Sequence, residues 1–344
     1  MTNKNKKPKK ASMQDVANLA GVSRTTVSFV INKVTKGNIP EETQQRVWKA
    51  VEALNYRPNA IARGLRAQKT NTIGFVTDKV ATTPFAGQIL QGAQDLAWQH
   101  EILLLTVNTG GNQEIKETAV STLLERQVDG IIYATMYHRQ ANPPQVIRQV
   151  PAVLLDCFVE DASITSVVPD DYKGGFEATE FLINHGHRKI GFACDIQDVP
   201  AKFARLRGFK DALAKHQIPF NQDYLKYGMS TPEGGVLAAN ALLNQDDPPS
   251  ALFCYNDRMA MGAYQVAQEL KLSIPADLAI VGYDNQDVIA PYLNPPLTTM
   301  QLPHYEMGKW AVEQILQLIN QADNQPQIPI QHKLPCPMVV RHSV

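Results

Sequence analysis

Residues 12–32 read SMQDVANLAGVSRTTVSFVIN, and this stretch decides how the chain begins. Ser12 followed by Asp15 is a helix start in which side chain and backbone cap each other. Val16, Leu19 and Ala20 then fall on one apolar face, and Gly21 stops the helix. Ser23 caps a second helix whose buried side carries Val27, Val30 and Ile31. Two short helices around a glycine turn describe a helix-turn-helix. A third helix follows: Pro40 suits its first turn, Glu41 and Glu42 suit its positive end, and Val47, Ala50, Val51 and Leu54 repeat at helical spacing. The three helices make a mini-domain over residues 12–57, close to the smallest size that folds alone.

The charge distribution agrees with that reading. The 344 residues carry 33 Lys and Arg against 33 Asp and Glu, a net charge of zero that speaks against a polyanion partner. The zero is a cancellation. Residues 1–69 hold 14 bases and four acids, or +10, and the remainder holds 19 bases and 29 acids, or −10. Such asymmetry marks a polyanion-binding module attached to something else. Residues 1–11, with five lysines, read as a disordered basic tail.

In a helix-turn-helix the second helix enters the major groove and its early residues meet base edges. Arg24, Thr25 and Ser28 hold those positions. Arg pairs bidentately with guanine, and a Thr methyl meets the thymine methyl. Phe29 lies on the same side; it packs on a thymine methyl or is a partly exposed core residue.

Asp15-Val16-Ala17, Ala20-Gly21-Val22-Ser23, Thr26-Val27-Ser28, Asn32 and Leu54-Asn55-Tyr56-Arg57-Pro58-Asn59 together resemble the start of the lactose-repressor (LacI/GalR) family of transcription regulators. The motifs are dense and collinear. The chain departs from the pattern at Phe29, where many members carry Arg or another residue, and in a slightly long loop from Lys33 to Ile39. The resemblance implies a DNA-facing set of Ser23, Arg24, Thr25, Ser28, Phe29, Asn32, Tyr56, Asn59, Ala62 and Leu65. It also implies that residues 58–69 form a hinge helix that folds on DNA, with Leu65 wedged into a minor-groove step. A helix this short is marginal alone.

Beyond residue 69 apolar runs alternate with helical patterns. Strands are expected at 72–77, 102–108, 130–135, 152–157, 189–194, 251–256 and 278–284. Helices are expected at 85–99, 113–126, 173–185, 201–216, 233–243 and 257–270. The alternation indicates parallel sheets with crossover helices, and residues 70–344 are enough for two. The resemblance extends over this core. It is carried by Thr83-Pro84-Phe85, Asp129-Gly130-Ile131-Ile132, Gly186-His187-Arg188-Lys189-Ile190, Arg205-Leu206-Arg207-Gly208-Phe209, Asn256-Asp257, Val281-Gly282-Tyr283-Asp284 and Pro296-Leu297-Thr298-Thr299. It implies two doubly wound α/β lobes of the periplasmic-binding-protein kind. The first takes about 71–169 and 301–330, the second about 170–300 and 331–344.

Ligands of open α/β sheets sit beyond the carboxyl ends of strands. Asp156, Asn256 and Asp284 stand there, and Arg205 lies in the helix after strand 189–194. Carboxylates, an amide and a guanidinium suit a polyhydroxyl ligand, because each hydroxyl both donates and accepts. The competing reading for each is a helix cap or a satisfied strand end. By resemblance, Phe85, Met229 and Leu302 join the effector site. Met229 falls where relatives often place an aromatic, and Leu302 where many place a polar residue, so the pocket is more apolar and Phe85 or Tyr283 supplies any stacking. The effector alternatives are an unusual sugar, a sugar derivative or a nucleobase-like molecule.

Other classes are disfavoured. No run approaches the ~18 apolar residues of a membrane span, and the Lys-rich start is no secretory signal. Cys157, Cys194, Cys254 and Cys336 are far apart in apolar runs and read as reduced thiols of a cytoplasmic protein. No Cys or His spacing suggests zinc; His185-Gly186-His187 reads as a helix end. No phosphate loop or nucleophile elbow appears, and the acid pairs Asp170-Asp171, Asp195/Asp198 and Asp246-Asp247 sit where turns and helix starts use Asp. No metal, cofactor or catalytic residue is expected. The expected partners are a pseudo-palindromic operator in double-stranded DNA, a small-molecule effector, sugar above others, and a second copy of the chain. No heptad tail follows Val344, which favours a dimer over a tail-linked tetramer. The rival reading is a solute-binding protein serving a transporter.

Overall fold

The computed structural model describes residues 11–32, 39–57, 69–83, 86–321 and 328–344. The expectations for the basic tail, the hinge residues Asn59, Ala62 and Leu65, and Phe85 lie outside the described residues. The chain divides into two compact units, Met1–Thr70 and Asn71–Val344.

The first unit contains α1 (Met13–Ala20), α2 (Arg24–Ile31) and α3 (Glu41–Ala53). Ser12 and Asp15 form the expected reciprocal cap: the Asp15 N–H donates to Ser12 Oγ (3.3 Å) and the Ser12 N–H to Asp15 Oδ2 (2.8 Å). Gly21 ends α1 at φ +64°, a left-handed conformation that favours glycine. Val16, Ala17, Ala20, Val27, Val30, Val47 and Ala50 form the core of this unit. Leu19, expected in it, is 57% exposed. The inward places on α1 go to the small Ala17 and Ala20, which let α1 pack against α2 and α3. Pro40 stands just before α3 rather than in its first turn.

The second unit holds two six-stranded sheets. The first lobe is built on β1 (Thr72–Thr77), β2 (Leu103–Asn108), β3 (Gly130–Gln140), β4 (Ala152–Phe158) and β5 (Thr165–Pro169), with α4 (Gly87–Gln99) and α5 (Gln113–Glu125). The second lobe runs from α6 (Asp171–Asn184) through β6 (Ile190–Asp195), α7 (Pro200–Lys215), β7 (Leu225–Gly228), α8 (Pro232–Leu243), β8 (Ala251–Cys254), α9 (Asp257–Glu269) and β9 (Ala279–Asp284) to β10 (Thr298–Gln301). The chain then returns as α10 (His304–Asn320), which packs on α4, and ends with β11 (Gln331–Leu334) and β12 (Met338–Val339). The first sheet runs β11-β5-β4-β3-β1-β2, all parallel. The second runs β12-β10-β9-β8-β6-β7, with only β12 antiparallel.

All the expected core strands and helices are present, within a few residues at their ends except for β3. One lobe boundary changes. Gln331–Leu334, expected in the second lobe, pairs with β5 in the first, so the third crossing lies between Leu334 and Met338. Its alternating Gln-His-Lys-Leu gives little apolar signal, because an edge strand buries only one face. β3 also runs five residues past its expected end, and its pairing with β4 shifts register between Ala134 and Arg139. That irregularity carries Met136, Tyr137 and His138 toward the space between the lobes.

Helices α6 and α7 meet through glycine. A Cβ on Gly175 would lie 2.5 Å from the Arg205 carbonyl oxygen, and one on Gly208 would lie 2.2 Å from that of Tyr172. The backbones therefore touch where α7 carries Arg205. Gly208→Ala should force them apart and cost about 1–3 kcal/mol, read as a lower urea midpoint for the core transition; an unchanged midpoint would show that the crossing yields freely.

Candidate functional site

In the first unit, Ser23, Arg24, Thr25, Phe29 and Asn32 are exposed and Ser28 is half-buried. Phe29 is 39% exposed beside the buried Val27 and Val30. Ser23 caps α2, its Oγ accepting from the Thr26 N–H (3.1 Å). Asn32 closes the other end, its side-chain amide donating to the Ser28 carbonyl (2.7 Å). Arg24, Thr25 and Phe29 are thus left as the outward side chains of α2, on a helix fixed at both ends. Tyr56 is half-buried and packs against the three-helix core, so in this unit it supports the fold.

In the second unit, Asp156, Arg205, Asn256, Asp284 and Leu302 all line one cleft between the lobes. Met229 does not. It is 46% exposed, and its backbone turns toward α8, where a Cβ on Gly234 would meet the Met229 carbonyl oxygen at 2.0 Å. Its neighbour Ser230 faces the cleft instead. The cleft's free volume is about 60 Å³, well below the roughly 300 Å³ of an ordinary ligand pocket. A ligand of ordinary size needs more room than the lobes leave here.

Arg205 organises this space. It is 4% exposed, yet charged. Its Nε donates to Asp171 Oδ1 (2.8 Å) and its Nη1 to the Tyr255 carbonyl (2.7 Å), while Asp284 Oδ1 lies 3.9 Å from Nη1. The guanidinium carbon sits 3.5 Å from the ring centroid of Tyr283 and 4.6 Å from that of Tyr255. Burial opposes the charge on Arg205, but the Asp171 carboxylate and its neighbours outweigh it and raise the pKa further. Two of the five guanidinium N–H groups are thereby engaged within the protein, and the rest of the fork remains for a ligand. Tyr283, expected as a stacking partner for an effector, is fully buried with its ring against Arg205.

Asp171 opens α6 at the first crossing and was not among the expected site residues. Burial pushes its carboxyl up, but Arg205 and His138 outweigh that and hold it below the usual range. His138 reaches it from β3 of the other lobe, Nδ1 to Oδ2 at 2.8 Å. Its neighbour Asp170 caps α6, accepting from the Lys173 N–H (3.2 Å), and Asp195 accepts from the Gln197 N–H (3.1 Å) in a turn. Among the other acid pairs, Asp195 lines the cleft while Asp198 pairs with Lys202 and Asp247 with Lys189 outside it.

Asp156 differs from these. It is 2% exposed, sits at φ +57°, and its Oδ1 has no hydrogen-bond partner. Burial first, and then the Asp171 charge, raise its pKa far above a normal carboxyl. A strained backbone and an unsatisfied carboxyl oxygen each cost on the order of 1–3 kcal/mol, and both tend to collect where a ligand binds. Asp284 has φ +102°, and burial lifts its pKa to about 6 against the pull of Arg205. It is held by Gln286, whose Nε2 donates to Oδ2 (3.0 Å) and whose N–H donates to Asp257 (2.6 Å). Asn256 is a helix cap: its Oδ1 accepts from the Met259 N–H (2.9 Å) and its Nδ2 donates to the Ser230 carbonyl (3.2 Å). Tyr137, His138, Asp171, Tyr255 and Arg258 also line the wall.

Comparison with known proteins follows the same division. Residues 12–59 match the model of bacterial regulatory proteins of the lacI family, and residues 70–337 match that of periplasmic binding proteins and the sugar-binding domain of the LacI family. The chain is 36% identical over 309 residues to the ribose operon repressor of Haemophilus influenzae, covering 90% of this chain and 92% of that protein. It is 34% identical to the transcriptional repressor PurR of Vibrio atlanticus, covering 97% and 98%. Among solved structures it resembles the lac repressor dimer bound to operator and the anti-inducer ONPF, with TM-score 0.79, 28% identity and coverage of 97% and 99%. It also resembles a complex of the regulator CelR with cellobiose, with TM-score 0.66, 27% identity and coverage of 97% and 100%.

The Asp284 pKa makes a pH prediction. The folded protein holds this proton more tightly than the unfolded chain, so the carboxyl favours folding below its unfolded pKa. That contribution is lost as pH rises through about 6. Asp284→Asn should therefore stabilise the ligand-free core by about 1–3 kcal/mol at pH 8 and by little near pH 4. Denaturation curves at the two pH values test it; a gain confined to pH 4 would reverse the sign.

Proposed function

The chain belongs to the LacI family of bacterial regulatory proteins, and we propose that it is a homodimeric repressor whose grip on its operator is set by a sugar or sugar derivative held between the core lobes. It is a DNA-binding regulator under small-molecule control and not an enzyme. The observation that carries the effector reading is the cleft itself. Arg205 with open donor sites, Asp284, and the orphaned Asp156 converge there from separate strands and helices. Neighbouring hydroxyls that each donate and accept suit that set, and Tyr137 and Tyr255 add aromatic surface. The cellobiose held by CelR and the ribose operon of the Haemophilus relative favour the sugar class.

On the DNA side, Arg24, Thr25, Ser28 and Phe29 read base edges, and Leu65 acts as a minor-groove wedge. One helix-turn-helix reads half a site, so two copies read a pseudo-palindrome. Among the described residues edge strand β2 pairs only with β1, and it has exposed Leu103 on it and Trp98 near it, which suits self-association. An effector that enters must part the lobes and re-seat them around itself. That shift biases the equilibrium between DNA-competent and incompetent forms through the hinge. Family habit favours induction over corepression. No described helix is long and apolar enough to cross a membrane, and a repressor acts in the cytoplasm. A transporter-serving solute-binding protein has no use for residues 12–59.

Two measurements check this reading. A thermal-shift panel of sugars, sugar derivatives and nucleobases should find a stabilising ligand in the first two classes, worth about 2.7 kcal/mol at 100 times its dissociation constant; stabilisation by nucleobases alone would replace the sugar assignment. Arg24→Ala should weaken operator binding by about 1–3 kcal/mol and relax preference at one base pair in each half-site. Equal loss on random DNA would deny it a base-reading role.

A further inference from the structure

A second cavity of about 450 Å³ lies beside the effector cleft, and its walls come from both lobes. The first lobe contributes Phe158 and Val168; the second contributes Tyr172 and Phe203. His138, Pro169 and Asp171 form part of both cavities, so the two spaces share the wall that stands at the first crossing. The volume is that of a small-molecule pocket, and the lining is mostly apolar.

Two cations stand on its rim, one from each lobe. Arg207 of α7 lies over the Tyr172 ring at 4.4 Å, and no carboxylate lies within ion-pair distance of it among the described residues. Lys333 of β11 is exposed and likewise has no ion pair among them. The nearby acids are occupied: Asp171 by Arg205 and His138, Asp170 by the α6 cap, Asp211 by the Tyr172 hydroxyl (3.0 Å). Phe203 is an apolar ring half open to solvent in the first turn of α7.

We propose that this cavity is a second small-molecule site, for an amphipathic anion whose aromatic body packs on Phe158, Tyr172 and Phe203 while its carboxylate or phosphate reaches Arg207 and Lys333. An occupant touches both lobes next to the His138–Asp171 pair. It therefore biases how the lobes sit and is coupled to the effector cleft, reciprocally.

The test uses the full chain and titration calorimetry with indole-3-acetate, 1-naphthyl phosphate and uncharged indole. At least one anion should bind about tenfold or more tighter than indole, and which anion does so distinguishes a carboxylate from a phosphate ligand. The double variant Arg207→Ala/Lys333→Ala should erase that preference. Ala204→Trp, which fills the cavity without touching a charge, should weaken all three probes. Ser230→Trp, which narrows the effector cleft at a residue that does not line the second cavity, should leave the preference in place. Thermal melts confirm that each variant folds. The proposal is overturned if no probe saturates at millimolar concentration, if the preference survives in the double variant, or if Ser230→Trp alone removes binding, which would put the probes in the effector cleft.

Discussion

The core is organised around one buried ion pair. Arg205 and Asp171 are 34 residues apart and almost completely shielded from water. Burying either alone is costly, and breaking a buried pair typically costs about 3–5 kcal/mol. Together, with the Tyr255 carbonyl and His138 meeting part of the remaining polar demand, they are sustained. The glycine contact between α6 and α7 brings them into register, and the Tyr283 and Tyr255 rings flank the guanidinium. Because Asp171 opens α6, the first helix after the chain leaves the first lobe, the pair ties Arg205 to the point where the lobes join. His138 completes the tie from the other side.

Under the proposed function, this arrangement is what a ligand in the cleft acts on. Asp171 is fully paired and fixes geometry, whereas Asp156 has an oxygen with no partner. A ligand that hydrogen-bonds Asp156 in one arrangement of the lobes and not in another gains differential binding energy, which shifts a conformational equilibrium.

Much of this was legible in the sequence. The reciprocal cap of Ser12 and Asp15, the stop at Gly21 and the apolar spacing of α2 and α3 are local signals, and local signals survive without a structure. The strand–helix alternation was equally plain, because buried parallel strands read as continuous apolar runs. The short or half-polar strands were less so: β7 has four residues, and β11 carries Gln, His and Lys. Arg205, Asp284 and Leu302 were found in the cleft where expected, while Met229 was not. Its position in the sequence matched the family pattern, but the turn into α8 points it outward and gives the place to Ser230. Asp171 was passed over as an ordinary helix-start acid because its partners lie 33 and 34 residues away, and no local pattern encodes a contact of that separation. Leu19 shows the same limit in the small unit, where helical spacing allowed two choices of inward face and packing took the smaller residues.

The opposed charges of the two units, +10 up to residue 69 and −10 beyond, favour docking on DNA by the first of them. Selection of the full chain's preferred sites from a pool of random duplex DNA tests the central claim most directly. An operator-binding dimer with one reading helix per copy should enrich an inverted repeat of two half-sites. Enrichment of no sequence, or of a single unrepeated half-site, would contradict the account.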